Sequence, residues 1–531
     1  MKFLISNFKY LILSLLIINS SLLITQNNLE QLAYLEGENE DDRFGKFITS
    51  LDFNGDGYDD LVVIARAWGQ WRGKLYCYLG GEVFDTEPDF TISGNLDSYV
   101  KSQVTNLGDL NNDGYEDLGM ERETADNFLI QILYGNTELD SIPDFELSVS
   151  KEDYAGVDIR ALGDINNDGY DDTGIVKSRY YSIQENFPFE FYLCFGNQDD
   201  LTVEYFGEWG DGFGPSGFSG IGDVNNDGYD DFCIGYSYEI EEERRYTNTL
   251  YYGSETIEPE PDLILWDLEN TNMTLGLPAG DLNADGYDDF AGHLTTTVDY
   301  NIRLWYGQEI VTQTPDLLLN YGYGGGGADY AFDFGDVNND GYSDIAIGSP
   351  GAGLNGKAYL YLGGENPNNT YDYEFEEPPG VNHDYGTAVT VGRFDGDEYD
   401  DIAISGPMDG SGQNHGYIHI FAGNGELVDL VDAEDEEIPL VSNVVFNAYP
   451  NPFNPSITFS VKFTTEFTES TEIQIFNIKG QKIETLNIEN LILNNEIEWK
   501  AEDHASGIYF CKLVNVETGS ILSVKKVTLL K

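Results

Sequence analysis

The stretch DVNNDGYDD, beginning at Asp223, places carboxylate or amide oxygens at loop positions one, three, five and nine, with glycine at six. This alternation turns successive oxygens inward, the glycine permits a sharp turn, and the backbone carbonyl at position seven adds a further donor. Hard oxygen ligands in this number, on a flexible loop, suit calcium better than magnesium or a transition metal. The pattern occurs six times. The expected ligands are Asp52, Asn54, Asp56, the Tyr58 carbonyl and Asp60 in the first loop, and Asp109, Asn111, Asp113, Tyr115 and Asp117 in the second. The third and fourth loops offer Asp164, Asn166, Asp168, Tyr170 and Asp172, then Asp223, Asn225, Asp227, Tyr229 and Asp231. The fifth and sixth offer Asp281, Asn283, Asp285, Tyr287 and Asp289, then Asp336, Asn338, Asp340, Tyr342 and Asp344.

A seventh stretch, RFDGDEYDD, puts Arg393 in place of the first acid and Glu398 in place of the glycine. Its guanidinium is expected to take the cation's place by pairing with Asp395, Asp397 or Asp401. Six calcium ions are therefore expected rather than seven. The competing reading is a metal-free Asx-rich turn, which also favours Asp, Asn and Gly. A turn alone does not need an acid at position nine as well as at one and five in all six loops. An EF-hand would continue as a helix and place glutamate at position twelve; here the loops run into strand-like LVVIA, FCIGY and IAIGS. A dockerin would carry two close copies flanked by helices.

The elements that must hold these loops repeat with them, at a period of about 57 residues. A small-residue approach such as LGD, IGD, AGD or FGD enters each loop, and an apolar run leaves it. An aromatic strand closing on glycine follows (LYCYLGG, ILYG, YLCFG, LYYG, RLWYG, YLYLGG, YIHIFAG), and in several units a Pro-Asp-apolar segment comes next. That makes four short strands per unit, rich in β-branched and aromatic residues and punctuated by turn formers. A four-stranded unit cannot bury both faces alone, so the units must stack, and seven of them close into a β-propeller. QLAYLEG at 31–37 stands before the first loop where PDFTISG stands before the second, so it is expected to supply the outer strand of the seventh unit.

The pattern resembles the FG-GAP repeats of integrin α-subunit propellers and their bacterial relatives. Phe44-Gly45 and Tyr385-Gly386 stand where that family has FG; Ile347-Gly348-Ser349-Pro350 and Ile404-Ser405-Gly406-Pro407 stand near its GAP. The resemblance implies that each loop joins the first two strands of a blade on the lower face. It also implies the same ligand positions as the spacing.

The 95 acidic and 26 basic residues give a net charge of −69, which argues against nucleic acid or an anionic membrane as partner. With 41% apolar and 14% aromatic residues the chain has the means for a core. Lys2 and Lys9 followed by an apolar run to Ile24 read as a signal peptide over 1–26, and no later run is long enough to span a bilayer. Cys77, Cys194, Cys233 and Cys511 lack metal or redox spacing and read as buried free thiols.

The propeller is expected over 27–427, and the acidic run 428–442 reads as a solvated linker. Beyond it, alternating apolar residues around Asn-Pro, Lys-Gly and Ser-Gly turns indicate a small antiparallel β-sandwich at 443–531. YPNPFNPS, IFNIKGQKI, SGIYFCKL and the terminal KKVTLLK closely resemble the C-terminal sorting domain of type IX secretion substrates. The resemblance implies recognition by that machinery and delivery to the cell surface or the medium. The fold class expected for the whole chain is all-β.

No GxSxG, HExxH or phosphate-binding loop occurs, and 95 acids make any candidate carboxylate pair uninformative. His415 and His419 share a strand face but have no third metal ligand in sequence reach, and read as strand residues. In integrin-like propellers the upper face is built from variable connections. Here these carry Trp68, Trp71, Arg72, Tyr180, Tyr181, Trp209 and Phe213, which could stack on a sugar, anchor a peptide, or pack against one another. The expectation is a secreted, calcium-bearing binding or adhesion module for an unidentified glycan or protein. The alternatives are a carbohydrate-active enzyme, such as a polysaccharide lyase, and a purely structural envelope protein.

Overall fold

A computed structural model of the chain describes residues 29–179, 189–198, 201–209, 215–240, 243–269, 272–295, 300–320, 331–353, 355–377, 384–407, 415–427, 444–449, 454–463, 471–477, 482–488, 495–501, 504, 506–515 and 521–529. The expected signal segment and acidic linker lie outside them, as do Tyr180, Tyr181 and Phe213. The chain divides into two compact units that part between Ala433 and Glu434.

In the first unit the described residues form seven four-stranded antiparallel sheets, a propeller-like arrangement. Sheet one runs Phe47–Leu51, Asp60–Ala65, Lys74–Tyr78 and Phe90–Ser93, and the first acidic loop joins its first two strands. Sheets two to six repeat that order, with first strands at Tyr99–Asn106, Tyr154–Gly163, Pro215–Gly222, Asn272–Gly280 and Phe332–Gly335. Sheet seven takes Val389–Gly392, Asp401–Gly406 and Tyr417–Phe421 from one end of the unit and its outer strand, Gln31–Glu36, from the other. The register pairs Tyr34 with His419 and Glu36 with Tyr417, in the place that the QLAYLEG segment predicts.

Second strands such as Asp60–Ala65, Asp344–Ser349 and Asp401–Gly406 are buried along their whole length. They are covered on both faces, which is why LVVIA and IAIGS read as unbroken apolar runs rather than alternating ones. The first strand of each sheet lies against the first strand of the next, and Val389–Gly392 lies against Phe47–Leu51. Between each pair of neighbours sits one core. Phe191 of sheet three packs edge-on to Phe218 of sheet four, and Phe290 of sheet five stacks on Trp305 within its own sheet. Leu35, Ile418 and Ile420 of sheet seven share a core with Leu61, Val63 and Tyr76 of sheet one. Phe44 is fully buried in that core, and Gly45 follows at φ +83° with Ser405 and Ile418 of sheet seven against it. The Phe-Gly pair thus serves the contact between sheets seven and one, where a bulky ring must be followed at once by a backbone that turns away.

The second unit has a three-stranded sheet (Val444–Tyr449, Ser456–Phe463, Asn495–Lys500) and a four-stranded one (Lys482–Ile488, Thr471–Asn477, Gly507–Asn515, Ile521–Leu529). Their facing side chains, among them Ile457, Phe459, Ile473, Trp499, Cys511 and Val527, form one core. The indole of Trp499 is buried and donates through Nε1 to Glu484 at 2.8 Å, so its one polar atom is satisfied.

Candidate metal centre

The six loops share one geometry. Asp52 accepts hydrogen bonds from the backbone N–H of Asp56 at 3.1 Å and of Gly57 at 2.9 Å, so the position-one carboxylate caps the turn that follows it. Asp56 in turn accepts from Tyr58 N–H at 3.0 Å. Asp109, Asp164, Asp223, Asp281 and Asp336 cap their own turns in the same way. The turn needs two left-handed residues: φ at position four lies between +51° and +70°, and at position six between +86° and +92°. Asn or Gly at four and Gly at six follow directly from that requirement; Ala284 is the one departure, at φ +53°.

The position-nine acid opens the second strand and is buried. Asp60 accepts from Gly80 N–H at 2.9 Å through Oδ1 and from Phe53 N–H at 3.1 Å through Oδ2, tying the loop's entry to the end of the third strand. Asp117, Asp231, Asp289, Asp344 and Asp401 make the same two bonds. Burial pushes the carboxyls of Asp60, Asp117, Asp172, Asp231 and Asp289 up to about 8, and the neighbouring position-one and position-five carboxylates add to the rise. A buried carboxylate in the field of two others is a place where a divalent cation relieves all three.

Position three adds an independent sign. The Oδ1 atoms of Asn111, Asn166 and Asn225 are buried and accept no hydrogen bond. A buried carbonyl oxygen without a donor is costly and calls for a partner. In loops one, five and six the corresponding oxygens of Asn54, Asn283 and Asn338 accept from the position-five N–H at 2.9 to 3.1 Å. Among the described residues no three His, Cys, Asp or Glu side chains converge into a metal cage. Each loop has only three acids in the set, and the carboxylates at one and five are turned onto backbone N–H groups. An oxygen that accepts one such bond keeps a second lone pair, and the remaining donors are an amide and a carbonyl oxygen. The donor set is all-oxygen and fits a hard cation.

Position eight, which the spacing argument passes over, holds the loops to one another. Glu116 accepts from Asp52 N–H at 2.8 Å, Asp171 from Asp109 N–H at 2.7 Å, Asp230 from Asp164 N–H at 2.8 Å and Asp288 from Asp223 N–H at 2.9 Å. Asp400 accepts from Asp336 N–H at 2.8 Å, and Asp59 from Arg393 N–H at 2.7 Å. In all seven cases the position-eight N–H also donates to the position-one carbonyl of the preceding loop, Ser343 to Asp281 included. The sequence signal was present: position eight is acidic in six of seven repeats.

The seventh loop departs from expectation. The guanidinium of Arg393 does not turn into its own loop toward Asp395, Asp397 or Asp401. It donates to the Gly57 carbonyl of the first loop and lies 5.5 Å from the Tyr58 ring. The backbone of Arg393 is already drawn to Asp59, and the side chain continues in that direction.

Of the aromatics expected on the upper face, Trp68 and Trp71 bound one tight turn in which Gly69, Gln70 and Trp71 have φ of +59°, +67° and +68°. Trp68 is half-buried and donates from Nε1 to Glu38 at 3.1 Å, with the Lys74 ammonium 5.4 Å from its ring. Trp71 is 55% exposed and the Arg43 guanidinium covers one face at 4.7 Å. The Arg72 carbonyl accepts from Val100 N–H at 2.8 Å, which ties this turn to sheet two. Trp209 ends the fourth strand of sheet three, with its backbone opposite Phe189. His419 is buried among Tyr34, Tyr385, Tyr417 and Phe421, and the four cysteines are buried free thiols, as their strand contexts predict.

Comparison with known proteins identifies an FG-GAP-like repeat at 52–120 and an FG-GAP repeat at 328–361. Residues 447–529 match the secretion system C-terminal sorting domain. The chain is 27% identical to integrin alpha-5 of Xenopus laevis over 171 residues, 28% of this chain and 16% of that one. It is 39% identical to integrin alpha-PS3 of Drosophila melanogaster over 80 residues, 14% of this chain and 7% of that one. It therefore spans a small fraction of the length of these relatives. Among solved structures, the full extracellular region of plexin A4 superimposes with a TM-score of 0.29 at 8% identity, covering 94% of this chain and 68% of that one. The sorting domain indicates handling by the type IX secretion system and a secreted or cell-surface protein. No helix among the described residues is long and apolar enough to cross a membrane.

Proposed function

From an all-β chain that carries FG-GAP repeats, has integrin α relatives and ends in a secretion-system sorting domain, we propose a calcium-stabilised, seven-bladed propeller that serves outside the cell as a binding or adhesion module. Support for the ring comes from seven sheets of one strand order whose first strands adjoin in sequence, with the last against the first. We assign the signal peptide to 1–26, the propeller to 27–427, the linker to 428–442 and the sorting domain, a β-sandwich, to 443–531.

The observation that carries the calcium reading is the orphaned Oδ1 at position three in loops two, three and four, each beside a buried position-nine acid. In each loop the ligands would be the side chains at one, three, five and nine and the position-seven carbonyl. When bound, the ion supplies positive charge that offsets these carboxylates. The chain's own part is to hold the oxygens by the turn and by the bonds at position nine, two in five of the six loops and, at Asp172, one from Gly196 N–H. Adhesion is supported by the integrin α relatives, and Trp71, exposed on a tight turn, is a candidate contact.

The test has two parts. Metal analysis of the purified chain after dialysis against calcium should return six ions per chain; seven would show that loop seven binds despite Arg393. A glycan array probed in calcium and in EDTA should show calcium-dependent retention that Trp71→Ala abolishes without turnover of the retained sugar. A folded, calcium-loaded chain that retains no glycan and captures no surface protein would overturn the binding role.

A further inference from the structure

We infer that the acid at loop position eight is a positioning residue for the cation site of the preceding loop, so that each site is completed by the neighbouring unit; the inference rests on the calcium reading above. The position-one aspartate is the ligand that both enters the loop and caps its turn. The two peptide groups that flank it are both gripped from the next repeat. Asp164 donates its N–H to Asp230 at 2.8 Å, and its carbonyl accepts from Asp230 N–H at 3.2 Å. Fixing both peptides fixes the direction in which the Asp164 carboxylate leaves the chain, and a ligand held before the ion arrives loses less freedom on binding. The grip is charge-assisted, and it adds a negative charge beside the site.

The chain makes room for this contact with a glycine before position one at six of the seven seams. A Cβ on Gly163 would lie 2.1 Å from Asp230 Oδ2, and one on Gly222 would lie 2.3 Å from Asp288 Oδ2. Glycine before position one is therefore the partner of aspartate at position eight. The seam between the first and second loops breaks both rules together: Leu51 of the first replaces the glycine, and Glu116 of the second, one methylene longer, replaces the aspartate and still reaches Asp52 N–H at 2.8 Å. At this seam the contact survives with both residues changed.

The fifth loop supplies the contrast. It is faced by Ser343, at position eight of the sixth loop, with Oγ 2.3 Å from where a Cβ on Gly280 would lie, so a neutral hydroxyl fills the carboxylate's place. The site of Asp281 keeps the backbone bond from Ser343 N–H at 3.0 Å and lacks the charged grip. It should be the weakest of the six.

Hydrogen exchange of the full chain, followed against free calcium, reads each loop separately. In Asp230→Ala the calcium concentration for half-protection of amides 165–170 should rise about tenfold, and that for amides 224–229, in the variant's own loop, should stay within about twofold. In Ser343→Asp the midpoint for amides 282–287 should fall toward those of the other loops. A shift confined to 224–229, an equal shift in every loop, or no change at 282–287 in Ser343→Asp would each overturn the positioning role. Ser343→Asp removes nothing from the core, so it decides the matter even if Asp230→Ala does not fold. Wild-type loops that show no calcium-dependent protection at all would instead overturn the calcium reading, and this inference with it.

Discussion

The carboxylate of Asp59 accepts a hydrogen bond at 2.7 Å from the backbone N–H of Arg393, a residue 334 positions further along the chain. Asp59 returns a bond at 2.9 Å from its own N–H to the Arg393 carbonyl. This joins loop seven to loop one in the way that the other loops are joined. Asp59→Ala removes the acceptor and should cost about 1.5–3 kcal/mol in urea unfolding, as for other hydrogen bonds to a charged group. Asp59→Asn keeps an acceptor and should cost less. Equal losses would mean that charge, not the hydrogen bond, matters at this seam.

Chelation should lower the melting temperature strongly. An ion that binds only the folded chain stabilises it by about 2.7 kcal/mol per site at a hundredfold excess over Kd. Thermal melts in calcium and in EDTA measure this directly, and coincident melts would show that the loops hold without metal.

Gly163→Ala should be destabilising by about 2–4 kcal/mol, since the residue adopts φ +78° and its new Cβ would displace the Asp230 carboxylate. Gly156, earlier in the same strand, has open space around its Cβ position. Gly156→Ala should cost less than about 1 kcal/mol. Similar losses for the two, by equilibrium unfolding, would remove the steric argument.

The loops were legible in the sequence because their chemistry recurs at one spacing and their turns demand Gly or Asn at fixed places. The outer strand 31–36 was legible because its place relative to the first loop matches that of PDFTIS relative to the second. Position eight was not singled out. An acid beside the position-nine acid looks like more of the same charge, and only the strand register shows that successive side chains leave in opposite directions. Arg393 misled for a related reason: its peptide belongs to loop seven, but the contact that aims it comes from Asp59. The aromatic loops gave composition without geometry, since whether Trp68 or Trp71 faces solvent depends on Glu38, Arg43 and Lys74.

His419 provides a pH test away from the acidic loops. Burial among four aromatic rings pushes its imidazole down to about 4. The neutral form is the one the fold accepts, so its contribution is complete above the unfolded value near 6.5 and is lost as pH falls through 4. The loss should approach about 3 kcal/mol. His419→Phe should flatten the stability profile between those limits relative to wild type; parallel profiles would exclude His419 as the source.

Trp68 and Trp71 should separate packing from contact. Trp68→Ala loses the Glu38 bond and the Lys74 contact and should destabilise by about 1–3 kcal/mol. Trp71→Ala, half in solvent, should cost less than about 1 kcal/mol in denaturant melts. The reverse order would place Trp71 in the core and remove it as a contact residue.

The pairing of strand 31–36 with 417–421 carries a consequence for how the molecule comes into being. His415 Nδ1 meets the Gly37 carbonyl, 378 positions away in the chain, and sheet seven has no outer strand until both of these segments are present. Contacts this distant in sequence are the slow ones to form, because a long loop must close before any reward arrives. The same barrier works in reverse. A force that pulls the two ends of this sheet apart must first part strand 31–36 from strand 417–421, so resistance to such pulling is set by the rate at which that pairing opens rather than by the equilibrium stability of any single sheet.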